Sequence, residues 1–265
     1  MAFATINGIQ LYYRIDARPG VDAHAPWLVL SNSLGSDVSM WSPQIDAFAS
    51  RFRVLRYDTR GHGRSDAPAG PYTIDQLAGD VVGLLDALDI DRAHFCGVSM
   101  GGLTGIALAA RFPGRFGKFV LANTAALIGT AATWTPRAAQ ARAAGMDSLT
   151  DAVIARWFTP AFFTAAPLFA GHVRDVLRHT SGEGYAANCE AIRDADLRDA
   201  ARTIDAPVLV IAGTHDQSTP PAQGRELAAA IAHARYVELD AAHLSNIEKA
   251  DEFTDAVSNF LGAPA

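Results

Sequence analysis

Apolar residues along this chain fall into two alternating patterns, short β-branched runs and longer runs with helical spacing. The short runs are strand-like and end in polar loops; they lie at 26–32, 52–58, 93–97, 117–123, 207–213 and 234–240. Helical patterns follow several of these runs, the longest at 73–90. The N-terminal stretch ATINGIQLYYRI predicts a β-hairpin that turns at Asn7-Gly8. Strands that alternate with helices in this way predict an α/β fold, with a mostly parallel sheet covered on both faces.

One long segment breaks the alternation. Between about 125 and 203 there is no strand pattern, and alanine-, arginine- and aromatic-rich stretches are interrupted by prolines. These stretches indicate several short helices, inserted just after a core strand. Because ligands of open α/β sheets bind at the carboxyl ends of the strands, we expect a helical cap there, with a plain helical decoration as the alternative. The expected organisation is a core at 1–124 and 204–265 and a cap at 125–203.

Composition and charge restrict the class of protein. The chain has 265 residues, of which 49% are hydrophobic, enough for the core of one domain with an insertion. Its net charge of −6 gives no indication of a nucleic-acid or anionic-membrane partner. No apolar run approaches the roughly 20 residues that cross a bilayer, and the N-terminus lacks the features of an export signal. We therefore expect a cytoplasmic protein in which Cys96 and Cys189 are reduced.

A glycine-fenced serine lies between a predicted strand and a predicted helix. Gly97-Val98-Ser99-Met100-Gly101 fits the nucleophile motif G-x-S-x-G, which requires that context. Glycine at 97 and 101 would let strand and helix pass closely and would tolerate strained backbone angles. A small turn without chemistry is the alternative, because the motif also arises by chance. The context favours Ser99 as a nucleophile.

The two partners that such a serine needs also follow predicted strands. Asp216 comes after the strand at 207–213 and His243 after the strand at 234–240. The carboxyl ends of parallel strands meet at one edge of the sheet, so both would lie near Ser99, in the chain order typical of this motif. His243 would accept the serine proton and return it to the leaving group, while Asp216 would hold the imidazole tautomer. His215 precedes the acid, and we interpret it as a bystander.

No stretch of the sequence carries a cofactor motif. Gly61-His62-Gly63 follows a strand, as a dinucleotide fingerprint would, but Asp66 occupies the position of the third glycine. We interpret this stretch as a polar loop in which Arg60 and Asp66 tie backbone together. The other histidines and the cysteines lack metal-ligand spacing. Neither a cofactor nor a metal is expected.

Several of these stretches together resemble a known family. LSNSLG, YDTRGHGRSD, FCGVSMGG, IAGTHDQSTPP and AAHLSNIE are similar to the α/β-hydrolase superfamily. A second set of stretches is similar to the 3-oxoadipate enol-lactonases, and it lies at 121–134, 156–163, 184–198 and 242–253. The resemblance implies an α/β-hydrolase fold with an inserted helical cap. It also implies a cytoplasmic hydrolase of the β-ketoadipate route that acts on a small anionic lactone, as a monomer or small homo-oligomer.

The resemblance also bears on the oxyanion hole, which needs two backbone N–H groups aimed at the developing charge. One is expected from Met100, the residue after the nucleophile. The other is expected from the loop after the strand at 26–32, where Asn32 and Ser33 replace the His-Gly of many relatives. This correspondence predicts Leu34 as the second donor, with Ser33 as the alternative.

An anionic lactone needs a cation or several hydrogen-bond donors around its carboxylate. Among the residues of the predicted cap, the candidates are Arg137, Arg142 and Arg156, with Trp134 as an apolar wall that has an N–H to spare. Ser33 is a further candidate from the core. For each arginine the alternative is a solvated surface position.

Three other functions remain open at this point. A carboxylesterase, or a carbon–carbon hydrolase of ring-cleavage products, would use the same three residues and would differ only in the cap. A non-catalytic ligand receptor can also keep this fold, although an intact set of Ser99, Asp216 and His243 argues against it.

Overall fold

The computed structural model describes residues 2–22 and 24–263, so the outermost ends of the predicted core, at 1 and at 264–265, lie outside it. Within the described residues an eight-stranded sheet has the order β1-β2-β4-β3-β5-β6-β7-β8. The strands are β1 (Ala2–Ile6), β2 (Ile9–Asp16), β3 (Trp27–Ser31), β4 (Arg53–Tyr57), β5 (Ala93–Val98), β6 (Phe116–Ala122), β7 (Val208–Gly213) and β8 (Ala234–Leu239). β1 and β2 form the predicted hairpin, and β2 also pairs antiparallel with β4. All pairs from β4 to β8 are parallel, which confirms the predicted fold class.

Helices flank this sheet and fill its crossover connections. They are α1 (Ser42–Phe48), α2 (Ile74–Ala87), α3 (Met100–Arg111), α4 (Ala131–Ala144), α5 (Asp147–Trp157), α6 (Pro160–Ala165), α7 (Pro167–His179), α8 (Gly182–Asp194), α9 (Arg198–Arg202), α10 (Pro221–Ala230), α11 (Ser245–Glu248) and α12 (Ala250–Gly262). α3 packs on β5 and β6, whereas α10 packs on β7 and β8. None of the helices in the described part of the chain is long and apolar enough to cross a membrane.

The hydrophobic patterns explain where the strands and helices lie. Every residue of β7 is buried, as expected for a central parallel strand that is covered on both faces. The longest predicted helix is α2, which begins at an N-cap: the Thr73 side chain accepts a hydrogen bond from the N–H of Gln76. Its apolar face is buried. That face also contains Asp80, whose carboxylate pairs with the guanidinium of Arg60.

The segment between β6 and β7 contains α4 to α9. All of residues 125–203 belong to the described part of the chain, and none of them is in a strand. α4 packs closely on α8 and also contacts α5, while α7 contacts α5 and α6. The segment is therefore helical, as predicted. Its treatment as a separate cap stays a prediction, and "cap" below means α4 to α9.

Candidate active site

Ser99 lies at a tight turn between β5 and α3. Its backbone has φ +57° and ψ −111°, a conformation that non-glycine residues adopt only under strain. A Cβ atom on Gly97 would overlap the backbone of Gly101, and one on Gly101 would overlap the carbonyl of Ser31. The turn therefore requires glycine on both sides of the serine. Met100 is the first residue of α3, where backbone N–H groups have no partner within the helix.

His243 and Asp216 meet at the carboxyl edge of the sheet. The Nδ1 of His243 lies 2.8 Å from Oδ2 of Asp216, and both side chains are buried. An ionised carboxylate only accepts hydrogen bonds, so Nδ1 is the donor and Nε2 is the basic nitrogen. His215 instead lies 2.8 Å from Asp240 at an exposed position, outside this pair.

Several donors surround the Asp216 carboxylate. Oδ1 accepts the backbone N–H groups of Ser218 and Thr219, and Oδ2 accepts the Thr219 hydroxyl and the side-chain amide of Asn123. Burial by itself would raise the pKa of Asp216, but the charge and hydrogen bond of His243, together with donors from Thr219 and Asn123, bring this pKa below its usual value. The carboxylate is therefore held in its ionised form beside the imidazole.

Asn123 connects the ends of three strands and was not identified in the sequence. Besides Asp216, its amide N–H reaches the carbonyl of Ala242 at 3.2 Å, and its Oδ1 accepts the Ser245 hydroxyl at 2.5 Å. The next residue, Thr124, donates its hydroxyl to the carbonyl of Ser99 at 2.8 Å. The available signal was a polar residue directly after a buried strand, the same signal that pointed to Asp216.

The loop after β3 contains Leu34, the predicted second oxyanion donor, between two residues whose N–H groups are bonded. The N–H of Ser33 donates to the Met40 sulfur at 3.4 Å, and the N–H of Gly35 donates to Nε2 of His62 at 2.8 Å. Within the described part of the chain, the N–H of Leu34 between them has no acceptor. Of the two residues considered in the sequence, this favours Leu34 as the second oxyanion donor.

The stretch Gly61-His62-Gly63 is the polar loop that was expected, with one difference. Asp66 does tie backbone together, since its carboxylate accepts the N–H of Gln10 at 2.8 Å. The Arg60 side chain, by contrast, forms a buried two-point ion pair with Asp80 of α2, both contacts at 2.8 Å, rather than binding backbone. The expectation for Arg60 was wrong because a buried guanidinium needs a carboxylate, and the one on α2 lies far away in sequence.

Burial lowers the pKa of His62 to about 4. Between pH 6.5 and 4 the unfolded chain therefore binds a proton at this residue and the folded chain does not, so the free energy of unfolding falls as the pH falls. His62→Gln should reduce this loss by about 3 kcal/mol between pH 7 and 4. The burial of His94 acts in the same direction and the raised pKa of Asp58 in the opposite one, but both are common to parent and variant. Urea unfolding of parent and variant at several pH values measures this difference. If the free energy of unfolding depends on pH in the same way in both proteins, the prediction is contradicted.

A cavity of about 190 Å³ contains both Ser99 and His243. Most of the predicted site residues line it, namely Ser33, Leu34, Trp134, Arg137 and Arg156. The other lining residues were not predicted from the sequence; they are Ile128, Gly129, Thr133, Trp157, Gln217 and Ser218. The hydroxyl of Ser33 is buried and has no hydrogen-bond partner among the described residues, so it has a donor to offer. The cavity therefore joins the core loops to the cap directly above the serine.

Two of the predicted cap contacts are contradicted by the structure. Arg142 does not line this cavity; it binds Glu183 at 2.7 Å and Glu190 at 2.5 Å, so its charge is already matched within the cap. The indole N–H of Trp134 donates to the carbonyl of Ile128 at 2.7 Å. Trp134 is thus an apolar wall, as expected, but it has no N–H to spare.

The two arginines that do line the cavity differ in their partners. Arg137 donates to the Tyr185 hydroxyl at 2.8 Å and lies over the ring of Trp134, 5.0 Å from its centroid. Arg156 is exposed, and within the described residues it has neither a hydrogen bond nor an ion pair. A second cavity of about 780 Å³ shares Arg156 and Gln217 with the first and contains none of the three predicted catalytic residues. Arg156 therefore lies between the two cavities with its charge unmatched.

Known proteins are similar to most of this chain in sequence and in fold. Residues 26–250 match a family model described as alpha/beta hydrolase fold. The chain is 47% identical to 3-oxoadipate enol-lactonase 2 of Acinetobacter baylyi over 89% of this chain and 88% of that protein. It is 60% identical to the enol-lactonase structure from Burkholderia xenovorans LB400, with a TM-score of 0.97 over 99% of this chain and 100% of that one. A thermophilic esterase from Thermogutta terrifontis, solved with malate bound, is 25% identical, with a TM-score of 0.90 over 98% and 97% of the two chains.

These matches confirm the resemblance that the motifs indicated. They extend over the loops that carry Ser99, Asp216 and His243 and over the cap. The chain is a hydrolase and belongs to the α/β-hydrolase family.

Proposed function

We propose that this chain opens 3-oxoadipate enol-lactone to 3-oxoadipate through a Ser99 acyl-enzyme. One observation carries the proposal: a cavity of about 190 Å³ holds Ser99, His243 and the unmatched charge of Arg156 together. Pockets for drug-sized ligands are usually about 300–1,000 Å³, so a space this small suits a compact anionic lactone. The Acinetobacter baylyi relative is named a 3-oxoadipate enol-lactonase and the Burkholderia xenovorans structure an enol-lactonase, which supports this substrate.

The proposed reaction has two stages. Ser99 Oγ attacks the lactone carbonyl and passes its proton to Nε2 of His243, while the N–H groups of Leu34 and Met100 stabilise the oxyanion. The ring C–O bond then breaks. Its leaving group is an enolate, which needs little acid catalysis to depart. The proton held by His243 then passes to the enolate, which becomes the ketone of the product, and the neutral imidazole is restored. Water activated by His243 releases the acid from Ser99.

The substrate carboxylate is proposed to bind Arg156. A planar guanidinium matches the two oxygens of a carboxylate, and this guanidinium has no competing partner among the described residues. Arg137 lines the same cavity, but its donors already reach the Tyr185 hydroxyl. The buried, unpartnered hydroxyl of Ser33 is a second donor for the lactone.

We also propose that the enzyme acts in the cytoplasm, in the breakdown of aromatic compounds, as a monomer or small homo-oligomer. The name of the Acinetobacter baylyi relative, 3-oxoadipate enol-lactonase 2, is consistent with this setting.

The decisive test compares substrates. The purified chain is given the authentic enol-lactone, p-nitrophenyl acetate and a ring-cleavage dienone, and kcat/KM is measured for each. We expect the highest value for the lactone. A preference for the aryl ester would favour a carboxylesterase, a preference for the dienone would favour a carbon–carbon hydrolase, and no turnover of any substrate would favour a receptor.

Arg156→Ala should weaken turnover of the anionic lactone selectively. A charge-assisted hydrogen bond contributes roughly 1.5–3 kcal/mol, so kcat/KM should fall about 10- to 150-fold. A neutral lactone of similar ring size should be unaffected, because it has no carboxylate to lose. Arg178→Ala is the matched control, since Arg178 is a cap arginine that binds Asp147 outside the cavity. Equal losses on both lactones would mean that Arg156 only supports the cap.

A further inference from the structure

His62 is hydrogen-bonded to the loop after β3, which carries Leu34. Its Nε2 accepts the N–H of Gly35 at 2.8 Å, and the histidine is only 1% exposed. Gly35 has φ +82°, and a Cβ there would overlap Leu177 of the cap, so only glycine fits at this position. The peptide unit of Gly35 directly follows Leu34, whose N–H is the proposed oxyanion donor. The position of that donor thus depends on how Gly35 is held.

The other side of the imidazole is also anchored. Nδ1 lies 3.3 Å from the carbonyl of Arg60, which can only accept, so Nδ1 carries the proton and Nε2 is free to accept from Gly35. The same carbonyl accepts the side-chain amide of Asn188 of α8 at 2.9 Å. The Arg60 side chain is in turn fixed by its buried ion pair with Asp80. Both nitrogens are therefore used, and the ring has one orientation and one tautomer.

The backbone next to His62 is in close contact with the cap. A Cβ on Gly61 would overlap Gly184 of α8, and a Cβ on Gly184 would overlap the carbonyl of Gly61. The loop that carries His62 is thus held between α2, through Asp80, and α8. The hydrogen bond from the Gly35 N–H to His62 connects this anchored loop to the Gly35 peptide.

We propose that His62 is a positioning residue of the oxyanion hole: by accepting the Gly35 N–H it keeps the adjacent Leu34 N–H directed at the site of the developing charge. The proposal rests on the Ser99 mechanism given above, though not on the identity of the lactone. Any ester that acylates Ser99 requires the same two N–H groups, so p-nitrophenyl acetate serves as a probe even if the lactone assignment fails.

The test uses a variant without the acceptor and one that retains it. His62→Leu should lower kcat for p-nitrophenyl acetate by about 10²-fold, close to the loss of one oxyanion donor, with KM within about threefold of the parent. His62→Gln can present an amide oxygen near the position of Nε2, and its kcat should be at least tenfold higher than that of His62→Leu. His94→Leu is the control, because burial also lowers the pKa of His94, whose Nδ1 has no hydrogen-bond partner among the described residues, and His94 is on β5, outside the cavity. An unchanged kcat in folded His62→Leu, or an equal loss in His94→Leu, would overturn the proposal.

A measurement on the parent enzyme is independent of how the variants fold. In protein labelled with ¹⁵N at histidine, the His62 spectrum at pH 7 should show a protonated Nδ1 and an unprotonated Nε2. A proton on Nε2 would remove the acceptor for Gly35 and overturn the proposal directly. If the tautomer is as expected but Ser99→Ala retains activity, the Ser99 mechanism has failed and not the contact of His62 with the loop.

Discussion

Ser99→Ala is expected to lower kcat for the enol-lactone by about 10⁶-fold, the size of loss seen when a serine nucleophile is removed. Without the hydroxyl no acyl-enzyme can form, and only substrate binding and the backbone N–H donors remain to assist water. Alanine fits the strained turn as well as serine does, because both have a Cβ and the flanking glycines are unchanged. Single-turnover and steady-state rates measured on the lactone test the expectation.

Folding of the variant needs to be checked beside its activity. The melting temperature and circular dichroism of Ser99→Ala should match those of Ser50→Ala, a surface serine that donates only to the nearby carbonyl of Ala47. A residual rate within tenfold of the parent would exclude Ser99 as the nucleophile. Water would then attack the lactone carbonyl directly, without an acyl-enzyme.

Asp216→Asn is expected to lower kcat by about 10⁴-fold, the scale known for the equivalent change in serine proteases. The amide that replaces the carboxylate can donate to Nδ1 of His243, which would move the imidazole proton to Nε2, where it blocks removal of the serine proton. Asparagine also keeps only one of the two side-chain oxygens that accept hydrogen bonds in the parent. Donors such as the Thr219 hydroxyl and the Asn123 amide would therefore compete for that single oxygen. Substrate binding should change little, so the loss should be in kcat.

The chain provides a matched control for this change on the same edge of the sheet. His215 and Asp240 form a second histidine–carboxylate pair at the same 2.8 Å separation, but in an exposed position. Asp240→Asn should leave kcat within about twofold of the parent, because an exposed contact between a histidine and a carboxylate contributes little. If Asp240→Asn lost much activity and Asp216→Asn lost little, Asp240 would be the catalytic acid and His215 the catalytic base.

The core of the site was predictable because parallel strands deliver the residues that follow them to one edge of the sheet. Ser99, Asp216 and His243 each come shortly after a run with a strand pattern, so no knowledge of packing was needed. Asn123 follows the same rule and could have been found with it. His62 could not, because its partner Gly35 is 27 positions away and the contact depends on the conformation of two loops.

The cap residues were less predictable because a helix has several faces. Trp134 and Arg137 are three positions apart on α4 and share the face that lines the cavity. Arg142 is five positions beyond Arg137, which turns it well away from that face, towards the carboxylates of α8. Composition identified the right residue type, but only the packing of α4 on α8 decides which arginine faces the substrate.

The contact between Gly61 and Gly184 has a consequence for exchanging parts between relatives. Since each glycine leaves room only for the backbone of the other, α8 and the core loop must be inherited as a pair. A chimera that takes its cap from a hydrolase with a side chain at the position of Gly184 would lift the helix from the core and widen the space over the serine. Donor caps that have glycine at that position are therefore the ones to choose when substrate preference is to be transferred.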